Sequence, residues 1–225
     1  GYTYRSRSGR VRSIYGGGAI QRVDRLSGGL QSQVASLRLD IQNQTNDKIV
    51  LTYSEEKEGL VLPFEISKGI VIPRGLYAFD EFRAHIDTST HRKLKTRLTV
   101  GSGSFYAGGQ DNVNFFLEWT PSQHLRTSIN YRYNDVSLPE GNFVLRVVQA
   151  GLDFIFSSTL SWVNLLQYDN NSEMLGINSR LHWIPQAGRE MFVVLNHNLE
   201  DPDRDNSFQS AFADLSFKVN YTLRF

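Results

Sequence analysis

The chain has 225 residues, 40% of them hydrophobic, with 24 basic and 23 acidic side chains and a formal net charge of +1. That balance gives no electrostatic footprint for nucleic acid, and the lack of cysteine removes disulfides, thiol catalysis and Cys-ligated zinc. No apolar run approaches the roughly 18 residues that a spanning helix requires; this excludes a helical membrane protein only, because a spanning sheet alternates lipid-facing with lumen-facing residues.

The sequence opens on Gly1 rather than Met, with no visible signal peptide, so the chain is expected to be processed or the end piece of something longer. Helical periodicity is nearly absent and period-two alternation recurs throughout. About twelve strands are expected. The first runs from about Val11 to Leu26 and is poorly patterned ("IYGGGAIQRVDRL"). In "LRLDI", Leu37, Leu39 and Ile41 oppose Arg38 and Asp40. Phe82, Ala84 and Ile86 oppose Arg83, His85 and Asp87; Leu94, Leu98 and Val100 share a face opposite Lys95, Arg97 and Thr99. Val113, Phe115, Leu117 and Trp119 oppose Asn114, Phe116 and Glu118, and Leu125, Ile129, Tyr131 and Tyr133 oppose Arg126, Asn130 and Arg132. The strand from about Asn142 to Phe156 is interrupted at Arg146, where either a bulge resets the register or the guanidinium snorkels to a headgroup layer. Leu175, Ile177, Leu181 and Trp183 oppose Asn178, Arg180 and His182. The last strand, from Phe208 to Phe225, is the cleanest: Leu215, Phe217, Val219, Tyr221, Leu223 and Phe225 alternate with polar residues to the final position.

The connections alternate in length. Short ones lie near 43–47, 88–92, 120–124, 157–159 and 185–190, and longer ones near 55–76, 103–111, 134–142, 169–174 and 199–207. Antiparallel strands with short turns at one end and long loops at the other form the outer-membrane barrel pattern. Trp119, Phe156 and Trp183 precede short turns and Tyr53, Tyr131, Tyr133 and Tyr168 precede long loops, as two membrane interfaces would select; aromatic enrichment of any β protein is the plainer account. The expectation is therefore an all-β, antiparallel transmembrane β-barrel of about 12 strands, a single domain over residues 1–225, which is complete or the C-terminal part of a larger barrel. Closure requires the last strand to pair to its end. A terminal strand with alternating apolar residues and a final Phe resembles the signal read by the barrel-assembly machinery, here Val219, Tyr221, Leu223 and Phe225. That places the chain in the bacterial outer membrane, with its C-terminus periplasmic and with lipid and lipopolysaccharide around it.

The stretches "GLVLPFEISKGIVIPRGLYAF", "GSFYAGG", "LEWTPSQHLRTSINYRYNDVSLPEGNF", "LLQYDNNSEMLGINSRLHWIPQAGREMFVVLN" and the closing "YTLRF" resemble the C-terminal region of a bacterial envelope family, the carbohydrate-binding family-nine-domain or membrane-associated hydrolase proteins. The resemblance covers about residue 55 to the end. It implies a barrel that follows a carbohydrate-binding β-sandwich, and that sandwich is not in this chain, so its sugar-binding residues do not carry over.

On the polar side of the alternation, Arg83, His85, Lys95, Arg97, Arg126, Arg132, Arg180, His182, Lys218 and Arg224 stand with Asp87, Glu118, Asp153 and Asp214. Such charges either pair into a ladder or line an aqueous path whose basic excess favours anions. Glu200, Asp201, Asp203 and Asp205 in "EDPDRDN" are a candidate Ca²⁺ loop, with solvated Asp-Pro turn chemistry as the plainer reading; no other cofactor is implied. No nucleophile elbow or phosphate loop is present. The apolar segment 59–76, punctuated by Pro63 and Pro73, is expected to fold into the barrel mouth, to bury against a partner, or to extend the wall as a two-stranded flap. Three functions follow: a porin-like conduit or a membrane platform linked to carbohydrate binding or uptake; the barrel part of a surface glycan hydrolase; a structural subunit of a larger envelope complex.

Overall fold

The computed structural model describes residues 1–7, 9–201, 205 and 207–222. Fifteen strands and no helix form among them: β1 (Tyr2–Arg5), β2 (Val11–Asp24), β3 (Leu30–Asn43), β4 (Lys48–Leu60), β5 (Phe64–Ser67), β6 (Ile70–Ile72), β7 (Gly75–Asp87), β8 (Leu94–Phe105), β9 (Gly108–Ser122), β10 (Leu125–Leu138), β11 (Gly141–Ser157), β12 (Leu160–Asp169), β13 (Met174–Gln186), β14 (Arg189–Glu200) and β15 (Gln209–Tyr221). Thirteen belong to one antiparallel sheet whose spatial order follows the chain, with β1 and β15 at its two edges, and the sheet does not close. β5 and β6 form a separate two-stranded sheet. Set aside the four-residue β1 and the main sheet has the twelve long strands that the alternation suggests.

Contacts gather into two units, Gly1–Phe115 with Arg132–Leu145 and Phe116–Tyr131 with Arg146–Phe225. In the first, the glycine run of β2 explains its weak pattern. Tyr15 lies across the position where a Cβ on Gly17 would stand, with its hydroxyl 2.3 Å away, so a side chain there would expel the ring. Register joins Tyr15 to Asp40, Arg38 to Thr52, Val50 to His85 and Arg83 to Gly101 on one face. Leu37, Tyr53 and Phe82 share the other, followed by Leu39, Leu51 and Ala84. Period-two geometry and a regular register are enough to separate a polar face from an apolar one.

In the second unit, Asp153, Val163, Arg180 and Val194 lie in one cross-strand row of the polar face, and Leu152, Asn164, Ser179 and Leu195 in the adjacent row of the apolar face. Two polar residues on that face are satisfied within it: Trp162 Nε1 donates to Ser179 Oγ at 2.8 Å, and Ser179 Oγ to Asn164 Oδ1 at 2.7 Å. Pairing of β11 with β12 is regular from Val147 to Ile155 and shifts only between Ile155 and Ser157. At Arg146, next to the first pair of that ladder, the backbone N–H donates to Asn170 Oδ1 at 2.6 Å, beside the turn after β12.

Two expected loops are strand. β8 and β9 continue through 103–111 to a turn at 106–107, and β10 and β11 continue through 134–142 to a turn at 139–140. Gly, Asn and Asp look like turn chemistry, yet these residues extend the ladders. At Gly103 a Cβ would lie 1.9 Å from the Asp80 carbonyl oxygen, so that glycine marks a close approach of β7 and β8 and no loop. Segment 59–76 folds as the β5–β6 hairpin, bracketed by Pro63 and Pro73 and turned at Gly69, whose φ is 78°.

Candidate functional site

The polar face of the first unit is a set of paired charges that ends in an apolar shelf. Asp40 accepts from Arg38 Nε at 2.6 Å and Lys48 Nζ at 2.8 Å. Asp87 Oδ1 accepts from Arg97 Nε at 2.5 Å, and its Oδ2 is 2.6 Å from His85 Nε2. Arg83 pairs with Glu81, which also accepts from Asn112 Nδ2 at 2.7 Å. These carboxylates are half-buried, and each is held by donors on its own strand or one or two strands away. Lys95 also has a partner, as does Glu118 of the second unit.

Further along the same strands the side chains of that face turn apolar: Leu60 on β4, Tyr77 and Phe79 on β7, Phe105 on β8, Val136 and Leu138 on β10, Phe143 on β11. The β5–β6 hairpin packs here. Ile70, Ile72, Val136 and Leu138 form a buried cluster, with Leu60, Ile66, Tyr77, Phe105, Tyr106 and Phe143 packed around it. Ile72 is 1% exposed. Every main-sheet strand residue in the cluster has the parity of the polar face, so the hairpin covers the polar side of this unit and does not extend its wall.

Tyr106 closes the arrangement. It occupies the β8–β9 turn at φ 48°, a region uncommon for residues other than Gly. Its ring meets Phe64, Tyr77, Phe79 and Phe105 at centroid distances of 4.7–5.8 Å. Its hydroxyl donates to Glu58 Oε2 at 2.8 Å. Burial first, and then the neighbouring Glu58 carboxylate, push this phenol above its ordinary range, so it stays a neutral donor.

In the second unit the polar face carries the Arg126–Asp153 charge pair and many amides. Arg126 donates through Nε and Nη2 to Asp153 Oδ2, at 2.8 and 2.5 Å, and Asp153 is buried. Arg180 and Lys218 make no ion pair among the described residues, and neither does Arg132 of the first unit. His182 stacks on Phe192 with centroids 4.2 Å apart and planes 7° apart, and its Nε2 is buried without a partner among the described residues. The amides Asn130, Gln149, Gln167, Asn178, Asn196 and Asn198 occupy neighbouring positions. Their signal in the sequence is alternation inside "VVLNHNLE", where Asn196 and Asn198 oppose Leu195, His197 and Leu199.

The acidic loop behaves as a turn where it is described. Asp201 is buried, its Oδ1 accepts the Asp205 N–H at 3.2 Å, and Asp205 Oδ1 accepts the Ser207 N–H at 2.8 Å. Glu200 pairs in register with Met174 and Gln209. Asp203 lies outside the described residues, and no group of three metal-ligating side chains occurs among the described ones. Of the terminal motif, Val219 and Tyr221 stand exposed on the apolar side of β15; Leu223, Arg224 and Phe225 lie outside the described residues.

No protein-family model matches the chain, no curated protein matches it in sequence, and no solved structure matches its fold.

Proposed function

We propose that the chain is an integral outer-membrane β-barrel protein of a Gram-negative envelope, a conduit or membrane platform, whose polar face lines the interior and whose β5–β6 hairpin narrows it. The observation that carries this reading is the apolar face. Leu37, Phe82, Leu98, Leu152, Leu181 and Phe217, on six different strands, are exposed, while the buried apolar residues are Val50 and the hairpin cluster. A sheet in water buries such a face under a second layer. Lipid satisfies it without one.

One further feature supports the reading: the C-terminal end of β15 lies beside the β13–β14 turn, the Thr222 N–H donating to the Gly188 carbonyl at 2.7 Å, which suits a periplasmic C-terminus offered to the barrel-assembly machinery. Turn length does not sort by end as the sequence suggests, because the turns after β8 and β10 are as short, at two residues, as those after β9, β11 and β13. No helix of the described chain is long and apolar enough to cross a membrane, which says nothing of a sheet that spans one. Closure also has a parity condition. Strands alternate in direction along the 13-strand order, so β1 and β15 run parallel. Antiparallel closure therefore needs an odd number of further strands between them, or the departure of β1 so that β2 meets β15.

Paired charges and a seated hairpin favour a narrow or blocked interior over a wide pore. We take the membrane platform, holding a carbohydrate-binding module of the kind that the resemblance implies, as the first form of this function. The test is insertion of the purified chain into a planar bilayer, with folding followed by a heat-dependent gel shift. A folded chain that conducts weakly, and conducts more when residues 61–74 are replaced by a short Gly-Ser linker, is a conduit and displaces the platform form. A folded, silent chain in both forms is the platform. Failure to insert overturns the membrane reading itself.

A further inference from the structure

The amides of the second unit form a row with one gap. Register joins Gln149 to Gln167, Gln167 to Gly176 and Gly176 to Asn198 across β11, β12, β13 and β14. Asn130 on β10 adds a fifth member, its Nδ2 donating to Gln149 Oε1 at 3.2 Å. Gln149 Nε2 then donates to Gln167 Oε1 at 2.8 Å. Each amide thus passes its donor in the same direction, and amides linked this way polarise one another. The relay stops at Gln167, whose own Nε2 has no partner among the described residues.

The next position is Gly176, which offers no side chain to receive it. Beyond the gap stands Asn198, whose side chain makes no hydrogen bond among the described residues. Gln167 and Asn198 are two strand spacings apart, about 9.5 Å, too far for direct contact. In the adjacent row Asn178 Nδ2 donates to Asn196 Oδ1 at 2.5 Å, which leaves the Asn178 oxygen and the Asn196 nitrogen uncommitted.

Around Gly176 the sheet opens into a concavity of about 310 Å³. Gln167, Asn178, Asn196 and Asn198 supply its polar groups, and Leu165 and Met174 an apolar wall. No lysine or arginine lines it. Its one carboxylate, Asp169, is occupied with the turn after β12, accepting from the Asn171 and Ser172 backbone N–H groups and from Ser172 Oγ at 2.6–3.1 Å. A Cβ on Gly176 would stand 3.5 Å from Asn198 Oδ1 and 3.8 Å from the Gln167 carbonyl oxygen. Methyl-sized groups therefore fit there, and the gap is not forced by backbone crowding.

We propose that this gap is a binding site for an uncharged, polyhydroxylated ligand of about one hexose ring, seated on Gly176 and bridging Gln167 to Asn196 and Asn198. Primary amides both donate and accept, as hydroxyl groups do. An anionic ligand would find no cation in the lining, and an apolar one would strand the uncommitted amides. The Leu165 and Met174 side chains meet the C–H face of such a ring. The proposal requires neither closure of the sheet nor a membrane, only that the polar face meets water.

The test is saturation-transfer NMR on the whole chain in detergent, its strand content verified by circular dichroism. Glucose, galactose, maltose and cellobiose are the uncharged probes, and glucuronate and glucosamine the charged ones. The expected result is saturation transfer to at least one uncharged probe with millimolar affinity, and at least tenfold weaker for both charged analogues. Gly176→Gln extends the amide relay into the gap, and is expected to weaken binding tenfold or more with unchanged circular dichroism. Asn198→Leu gives the same loss from the far side. If no uncharged probe binds the folded chain, if Gly176→Gln binds as well as the parent, or if the charged analogues bind equally, the site is refuted. None of these results depends on whether the chain inserts into a bilayer, so the two readings fail separately.

Discussion

The polar faces of the two units are made of the same kind of strand and end up in opposite conditions. In the first, carboxylates are consumed by neighbouring cations, as with Arg38 and Lys48 on Asp40, and the far end of the face is sealed by the hairpin on Val136 and Leu138. In the second, amides predominate, several groups are uncommitted, and a cavity opens at Gly176. Ion pairs on a half-buried face satisfy themselves and fix the strands. Amides of the same strands keep spare donors and acceptors, which is the condition for recognising something else. One surface is occupied by the chain itself, and the other is left open to a ligand.

The largest way to break this contrast is to unseat the hairpin. Ile72 is the most buried side chain described, and Ile72→Ala removes its contacts from the cluster at a cost of about 2–5 kcal/mol. A two-stranded hairpin has little stability of its own, so it should leave the shelf altogether. Hydrogen exchange at Phe64–Ser67 and Ile70–Ile72 should accelerate strongly, while exchange in β12–β14 stays as it was. Equal acceleration in both units would mean that the hairpin is part of one cooperative structure and covers nothing independently.

That hairpin also shows where the sequence was readable and where it was not. Pro63 and Pro73 stand immediately outside β5 and β6, and Gly69 sits at the turn, so its local form could be read. Its docking surface could not. Val136 and Leu138 sit among Asn, Asp, Ser and Pro in "YNDVSLPEG", which has the composition of a loop. They are strand because two isoleucines more than sixty positions earlier cover them, and no local pattern carries a contact of that range. The two faces of the long strands were legible for the opposite reason: away from the hairpin, each face keeps one environment over many residues, so alternation alone reports it. The amide site fell between these cases. Asn130 and Asn178 could be assigned to the polar face, but the gap at Gly176 exists only once β12, β13 and β14 are in register.

A smaller effect tests what the two units share, the apolar face. Arg180 and Leu181 are adjacent on β13 and point to opposite sides. Leu181 is 39% exposed, so in water Leu181→Arg should cost well under 1 kcal/mol, as surface substitutions do. Against lipid the same change costs about 2–4 kcal/mol near the bilayer midplane. Denaturant titration of the chain folded into phosphatidylcholine vesicles reads the difference, with Arg180→Leu as the control on the polar side. A penalty confined to position 181 sharpens the contrast between the faces; equal costs at 180 and 181 would remove it.

The smallest effect lies within the first unit, where Asp47 ties two connections together. Its carboxylate accepts from Asn43 Nδ2 at 2.9 Å, Thr45 Oγ1 at 2.9 Å, the buried Ser89 N–H at 2.8 Å and Arg92 Nη2 at 2.7 Å. The Asn43 amide first, and then the Ser89 N–H, hold its pKa below the ordinary carboxylate range. A folded pKa below the unfolded value of about 3.9 means that the group stabilises the fold above that pH, and that the contribution fades as pH falls through the folded value. Between pH 7 and about 5 the bridge between the turns 44–47 and 88–93 should therefore be insensitive to pH, and below about 4 it should loosen. Asp47→Asn keeps the size of the side chain and removes the charge. It should loosen the 88–93 connection at every pH and abolish the acid dependence there. Proteolysis of that connection by pepsin, compared between parent and variant from pH 5 to pH 2, isolates the effect from the other carboxylates titrating in the same range. A variant that retains the parent's acid transition would show that Asp47 is a bystander and that the two turns are held by their strands alone.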